Sequence, residues 1–285
     1  MSWSPASGRR ELEVALRRIG GAEDHEIDLA EAALLLAALD RPQVPLDRYR
    51  HHLSLLRRDT AQEGARAGAD SDLGARVESL NRVIFGRYGY TGDEDTYESL
   101  DNADLMRVID RRCGLPVTLG IVYLQTALSQ GWEASGLAFP GHFLLRLELG
   151  AQRAIVDPFH GGRSLEPTEM RELLKTLAGQ EAELAPRHYA PVDRRTVLLR
   201  LQNNIKMRLL SDHRPEDALA RVEAMLLFAP RDAGSWREAG LLHSHLGNLR
   251  AGILALENFL EVAGAGHPYR PEAASLLREL HLRMN

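Results

Sequence analysis

Apolar positions recur at helical spacing through the first hundred residues. Ile27 to Leu39 is an amphipathic run, with Asp24 ahead of it as a cap and Asp40-Arg41-Pro42 behind it. The proline disfavours helical geometry in the residue before it, so the run should stop there. Leu46, Tyr49, Leu53 and Leu56 fall on one face of a second helix, and Leu73, Val77, Leu80 and Ile84 on one face of a third. Between these two, Thr60 to Asp72 is polar and rich in Ala and Gly, compatible with solvated helix or loop. Gly86 to Asp95 is dense in turn formers and reads as loop. Asp101 or Asn102 can cap a short helix through Asp110 that carries Leu105, Val108 and Ile109 inward.

The pattern then changes. Leu115 to Leu128 is strongly apolar and opens with Pro116, whose missing N–H costs nothing in a first turn; Gly131 ends it. Ala134 to Phe139, Phe143 to Leu149 and Arg153 to Val156 follow as short apolar or alternating runs. Pro140-Gly141 and Gly150-Ala151-Gln152 split them, so they predict three strands of an antiparallel meander. A helix feeding a meander predicts an α+β core with the helix packed across the sheet.

From Asp193 the periodicity is helical to the end and the chain repeats itself. Leu199–Asp232 lies over Ala233–Gly266 with part of a tetratricopeptide pattern: Trp236, Gly240 and Gly252 in the second copy, Ala218 and Pro230 in the first. Pro271 to Leu282 would cap the array. The fold class expected is α+β and mostly helical. Residues 1–100 form a helical region packing on the core, 101–190 the helix-plus-meander core, and 191–285 the repeat module.

Composition narrows the functional classes. The 285 residues are 44% hydrophobic and 26% charged, a globular balance. No apolar run reaches the roughly 18 residues needed to cross a bilayer. Met1 to Arg10 has arginines with no apolar segment behind them and does not read as a secretory signal. A cytoplasmic protein without a membrane partner is expected. The net charge of −5 argues against nucleic acid. Its single cysteine, Cys113, excludes an intrachain disulfide and a Cys-rich zinc site. His51-His52 and His243-x-His245 lack the i, i+4 spacing that would aim two rings at one metal, so neither a metal nor another cofactor is expected.

Three residues could do chemistry together. Cys113 precedes the central helix, where the macrodipole would favour thiolate. His142 heads the second strand, placed to take a thiol proton, and Asp157 ends the third, placed to orient the imidazole. A small core cysteine and hydrogen-bonded structural histidine are the plain alternative. His160-Gly161-Gly162-Arg163 follows as a tight turn whose exposed N–H groups and arginine could hold an anion or a peptide carboxylate, or could simply lead into the helix from Pro167. Arg111-Arg112 suits a helix C-terminus.

The stretch RRCGLPVTLGIVYLQTALSQGWEASGLAFPGHFLLRL, followed by IVDPFHGG, resembles the SirB-type transglutaminase-like family of bacteria, whose members join a transglutaminase-like core to tetratricopeptide-like helices. By that resemblance His142 and Asp157 take the histidine and aspartate places of a transglutaminase-fold triad. In active relatives of this type the nucleophile opens the central helix, about fifteen residues before its terminal glycine. Here that place falls at Pro116, Val117 and Thr118, none of them a thiol, with Cys113 a turn earlier. The resemblance therefore implies a degenerate, non-catalytic protein acting as an interaction module on a protein or peptide partner. The alternative is a cysteine hydrolase or acyl-transferase acting on amide bonds through Cys113, His142 and Asp157, with Thr118 near the nucleophile's place.

Overall fold

A computed structural model describes residues 5–284; Met1 to Ser4 of the N-terminal stretch and Asn285 of the repeat module lie outside the described residues. The chain divides into two compact units, one holding the residues through Leu12 together with Glu23–Leu201, the other Glu13–Ala22 with Gln202 onward. The stretches 1–100 and 101–190 thus lie mainly together in the first unit. Among the described residues no helix is long and apolar enough to cross a membrane.

The first unit begins with part of α1 (Pro5–Gly21), then α2 (Leu29–Ala38), α3 (Asp47–Ala67) and α4 (Leu73–Asn81). The cap of α2 is Asp28, whose side chain accepts from the Glu31 N–H, and not Asp24. Asp24 instead accepts from the N–H groups of Arg194 and Arg195, at the start of a helix 170 residues away. The polar stretch after Thr60 stays helical to Ala67, and Gly68 ends it in the left-handed conformation. A widened π turn, Arg82–Arg87, extends α4. The loop after it contains a two-residue strand, β1 (Thr91–Gly92), and Asp104, not Asp101 or Asn102, caps α5 (Leu105–Arg111).

Cys113 lies in β2 (Cys113–Gly114), paired parallel with β1, and not in the helix that follows. That helix, α6 (Pro116–Leu128), is buried almost throughout because helices and sheet cover it on all sides. β3 (Glu133–Leu137), β4 (Leu145–Leu149) and β5 (Gln152–Asp157) form the expected meander. Two short strands widen it: β6 (Arg163–Ser164), which precedes α7 (Pro167–Ala178), and β7 (Pro191–Val192), giving the order β6-β5-β4-β3-β7. Phe143 locks sheet to helix. A Cβ on Gly120 of α6 would meet its ring at 2.3 Å and one on Gly136 of β3 at 2.7 Å, so both contacts require glycine. On the α7 side Leu137, Phe139, Leu144, Leu165, Met170 and Leu174 form a second apolar layer.

α8 (Arg194–Ser211) starts in the first unit and ends in the second. The second unit continues with α9 (Pro215–Phe228), α10 (Ala233–His245), α11 (Leu249–Val262) and α12 (Arg270–Met284). Its core holds Leu256, Phe259 and Leu280, with Trp236 packed against it. Gly240 permits a close approach of α10 to α11, since a Cβ there would lie 2.6 Å from Leu256.

Candidate functional site

His142 sits in the β3–β4 connection and not on a strand. Gly141 takes a left-handed φ of 71° just before it, and Phe143 is wedged just after it. Arg200 clamps this connection by donating to the carbonyls of Leu137, Phe139 and His142 at 2.8, 2.9 and 2.6 Å. The ring therefore has little freedom. Its Nε2 lies 2.9 Å from Oδ1 of Asp157, at the end of β5.

Asp157 is fully buried and both of its oxygens are engaged. Oδ1 also accepts from the Phe159 N–H at 3.0 Å, and Oδ2 lies 2.6 Å from Nδ1 of His160. Burial works against the charged carboxylate, but hydrogen bonds from His142 and His160 outweigh it and hold the group below the usual carboxylate range. Among the described residues no Arg or Lys pairs with it. The two imidazoles stack with centroids 5.9 Å apart, and Phe159 meets each edge-on. His142, Asp157 and His160 thus converge, their ligand-capable atoms all within 4.8 Å of one another.

Gly161 and Gly162 complete the turn with φ of 70° and 77°. The Gly162 N–H donates to the Asp157 carbonyl, and the Gly162 carbonyl accepts from Asn81 on α4. Tyr123 stands beside this turn, wholly buried, its phenol pushed up by burial and by the Asp157 charge. Arg163 turns away toward Glu169, 3.8 Å off, and does not join the cluster.

Neither candidate nucleophile engages His142. The Cys113 thiol donates to Oδ2 of Asp93 at 3.9 Å. Burial pushes the thiol above its ordinary value; Arg111 opposes and Asp93 adds to the rise. This is the reverse of the thiolate expected from a helix N-terminus, because the sulfur lies on β2 beside a carboxylate. Asp93 itself is held far below the usual carboxylate range, first by the Thr96 hydroxyl, against the effect of burial, with Thr96 N–H, Arg111 and Asn102 adding. Thr118 is wholly buried and donates to the Asn102 carbonyl at 2.8 Å. Asn102 also donates to the Thr96 carbonyl and accepts from Arg111, which makes it a hub of the loop.

This Asp93-Thr96-Asn102-Arg111 network was not legible as a unit; the only signal was the acid-rich GDED turn. The two clusters share one neighbour, Phe159, whose ring packs on Gly92 and against His142. Arg112 serves neither. It takes a left-handed φ of 64° and bonds to buried His52 and Tyr90. Trp132 is buried under Arg76, and Trp236 packs in the repeat core.

A five-stranded sheet wrapped on a buried helix, with a His–Asp pair beside the helix, defines a transglutaminase-like core followed by helical repeats. The chain belongs to the transglutaminase-like superfamily, whose model matches residues 47–203, and a tetratricopeptide-repeat model matches 205–281. Within it the chain groups with the bacterial UPF0162 and SirB1 proteins. It is 30% identical over 256 residues to a UPF0162 protein of Vibrio cholerae, covering 88% of this chain and 90% of the relative. A UPF0162 protein of Xylella fastidiosa is 27% identical over 252 residues, 86% and 87% of the two chains. Protein SirB1 of Salmonella typhimurium is 28% identical over 187 residues, 65% and 69%. No solved structure gives a significant match.

Proposed function

We propose that this chain is a non-catalytic transglutaminase-like protein of the cytoplasm that works as an interaction module. Its helical repeats offer a binding surface, as stacked repeats do, to a protein or peptide partner, and neither nucleic acid nor membrane is its target. One observation carries the reading. The sole thiol donates to Asp93 and the Thr118 hydroxyl to a backbone carbonyl, which supports a His142 with no nucleophile to activate. The His142–Asp157 pair then acts as a structural tie between the β3–β4 connection and the end of β5. Such a charge-assisted bond is worth roughly 1.5–3 kcal/mol.

A second reading, a cysteine hydrolase or acyl-transferase acting on amide bonds, is favoured by a different observation. His142 uses Nε2 on Asp157, and among the described residues its Nδ1 makes no hydrogen bond, the arrangement a general base requires. Iodoacetamide labelling at neutral pH, followed by intact mass, separates the two. Slow labelling of Cys113, unchanged by His142→Ala, is expected. Rapid labelling that His142→Ala abolishes would replace the interaction reading with the hydrolase.

A further inference from the structure

Asp157 is a buried charge at the centre of a compact set of groups able to ligate a metal. The carboxylate is fully buried, and its ion-pairing partners among the described residues are two histidines. The two imidazoles supply hydrogen bonds, and a buried charge is retained only with compensation. A bound cation is the most direct form of it.

The donors suit such an ion. One ring nitrogen of His142, one of His160 and a carboxylate oxygen of Asp157 lie within 4.8 Å of one another, and the nitrogens that face Asp157 are Nε2 of His142 and Nδ1 of His160. Two imidazoles and one carboxylate form a borderline-soft set of the kind that holds zinc and its first-row neighbours. The set comes from separately braced positions: His142 under the Arg200 clamp, Asp157 at the end of β5, and His160 on the turn before Gly161. An outer partner is present too, since Oε1 of Glu94 lies 3.9 Å from Nε2 of His160. Metal-bound imidazoles commonly aim their second N–H at such a carboxylate. His160 is 41% exposed, which provides an entry path and room for a water ligand.

We propose that His142, Asp157 and His160 form a divalent transition-metal site suited to Zn²⁺, with a fourth position open to solvent. Bonds of about 2.0–2.1 Å in a tetrahedral arrangement put neighbouring ligand atoms about 3.3 Å apart. The exposed His160 ring swings inward to reach that spacing, while the buried pair keeps its place. In the bound form each imidazole carries its proton on the outer nitrogen, Nδ1 of His142 and Nε2 of His160. The sequence hid this site because seventeen residues and a hairpin separate the two histidines.

The test uses the untagged full chain, stripped with chelator and dialysed. It is titrated with Zn²⁺ by calorimetry, and with Co²⁺ by visible absorption. One Zn²⁺ per chain and the d–d bands of a low-coordinate Co²⁺ site are expected. His160→Ala should remove those bands and weaken Zn²⁺ on the order of 100-fold, the upper end of what losing even an outer partner costs, with unchanged circular dichroism. No stoichiometric binding by the wild-type chain, or binding that His160→Ala and His142→Asn leave intact, overturns the proposal. If His142→Asn does not fold, the exposed His160→Ala decides alone.

Discussion

Gly162→Ala is the sharpest perturbation of the turn that shapes the site, and Gly161→Ala beside it is a built-in control. Both glycines have left-handed φ, so either alanine pays about 1–2 kcal/mol for the backbone alone. At Gly161 little else is added. The new Cβ would lie 3.3 Å from the ring of Phe85, which is 48% exposed and can move. At Gly162 the Cβ would lie 1.8 Å from Oδ1 of Asn81 and 2.7 Å from the Tyr123 hydroxyl. Asn81 must leave, losing its 2.8 Å bond to the Gly162 carbonyl and costing about 1–3 kcal/mol. Tyr123 is wholly buried and cannot yield freely, which adds about 1–3 kcal/mol of overpacking. Gly162→Ala should therefore destabilise the first unit about 3 kcal/mol more than Gly161→Ala does. Urea unfolding, followed by Trp132 fluorescence in a Trp3→Phe, Trp236→Phe background, measures that difference. Two variants within 1 kcal/mol of each other would show that the turn is not packed as described.

Other consequences can be checked the same way. His52 has its pKa lowered to about 4 by burial first and by the Arg112 and His51 charges next. The folded chain then binds fewer protons than the unfolded one between about pH 4 and 6.5. Stability is fully present above 6.5 and falls by about 3 kcal/mol as pH drops to 4. His52→Gln should remove that component of the pH dependence of the urea midpoint, and an unchanged pH profile would refute the assignment. In the repeat unit, Gly240→Ala drives a Cβ to 2.6 Å from wholly buried Leu256 and should cost about 1–3 kcal/mol, read by Trp236 fluorescence. A neutral result would mean that α10 and α11 are not in close contact there.

What the sequence made legible is what local physics writes into it. The apolar length of α6, its Pro116 start and Gly131 stop, and the punctuated meander reflect burial and turn chemistry acting over a few residues. The His142–Asp157 pairing followed from the meander, because adjacent strands bring hairpin ends together. Long-range partners were not legible. Asp24 reads as a cap for the helix beside it but caps α8, since the backbone groups it satisfies lie far along the chain. The same holds for β6 and β7, two-residue strands with no pattern of their own, and for Asp93, which found the thiol through the parallel β1–β2 pairing. In the sequence His160 reads as part of an anion loop. Its role is set by the turn that Asp157 caps, a geometry visible only once the hairpin is closed.

Whether the site is catalytic turns on the state of one sulfur atom, and the chain has one cysteine, so the signal is unambiguous. Cys113 labelled with ¹³C at Cβ can be titrated by NMR in the wild-type chain and in His142→Ala. A single transition above the ordinary thiol range is expected, set by burial and Asp93 and the same in both proteins. A thiolate already formed below neutral pH, lost when His142 is replaced, would contradict it.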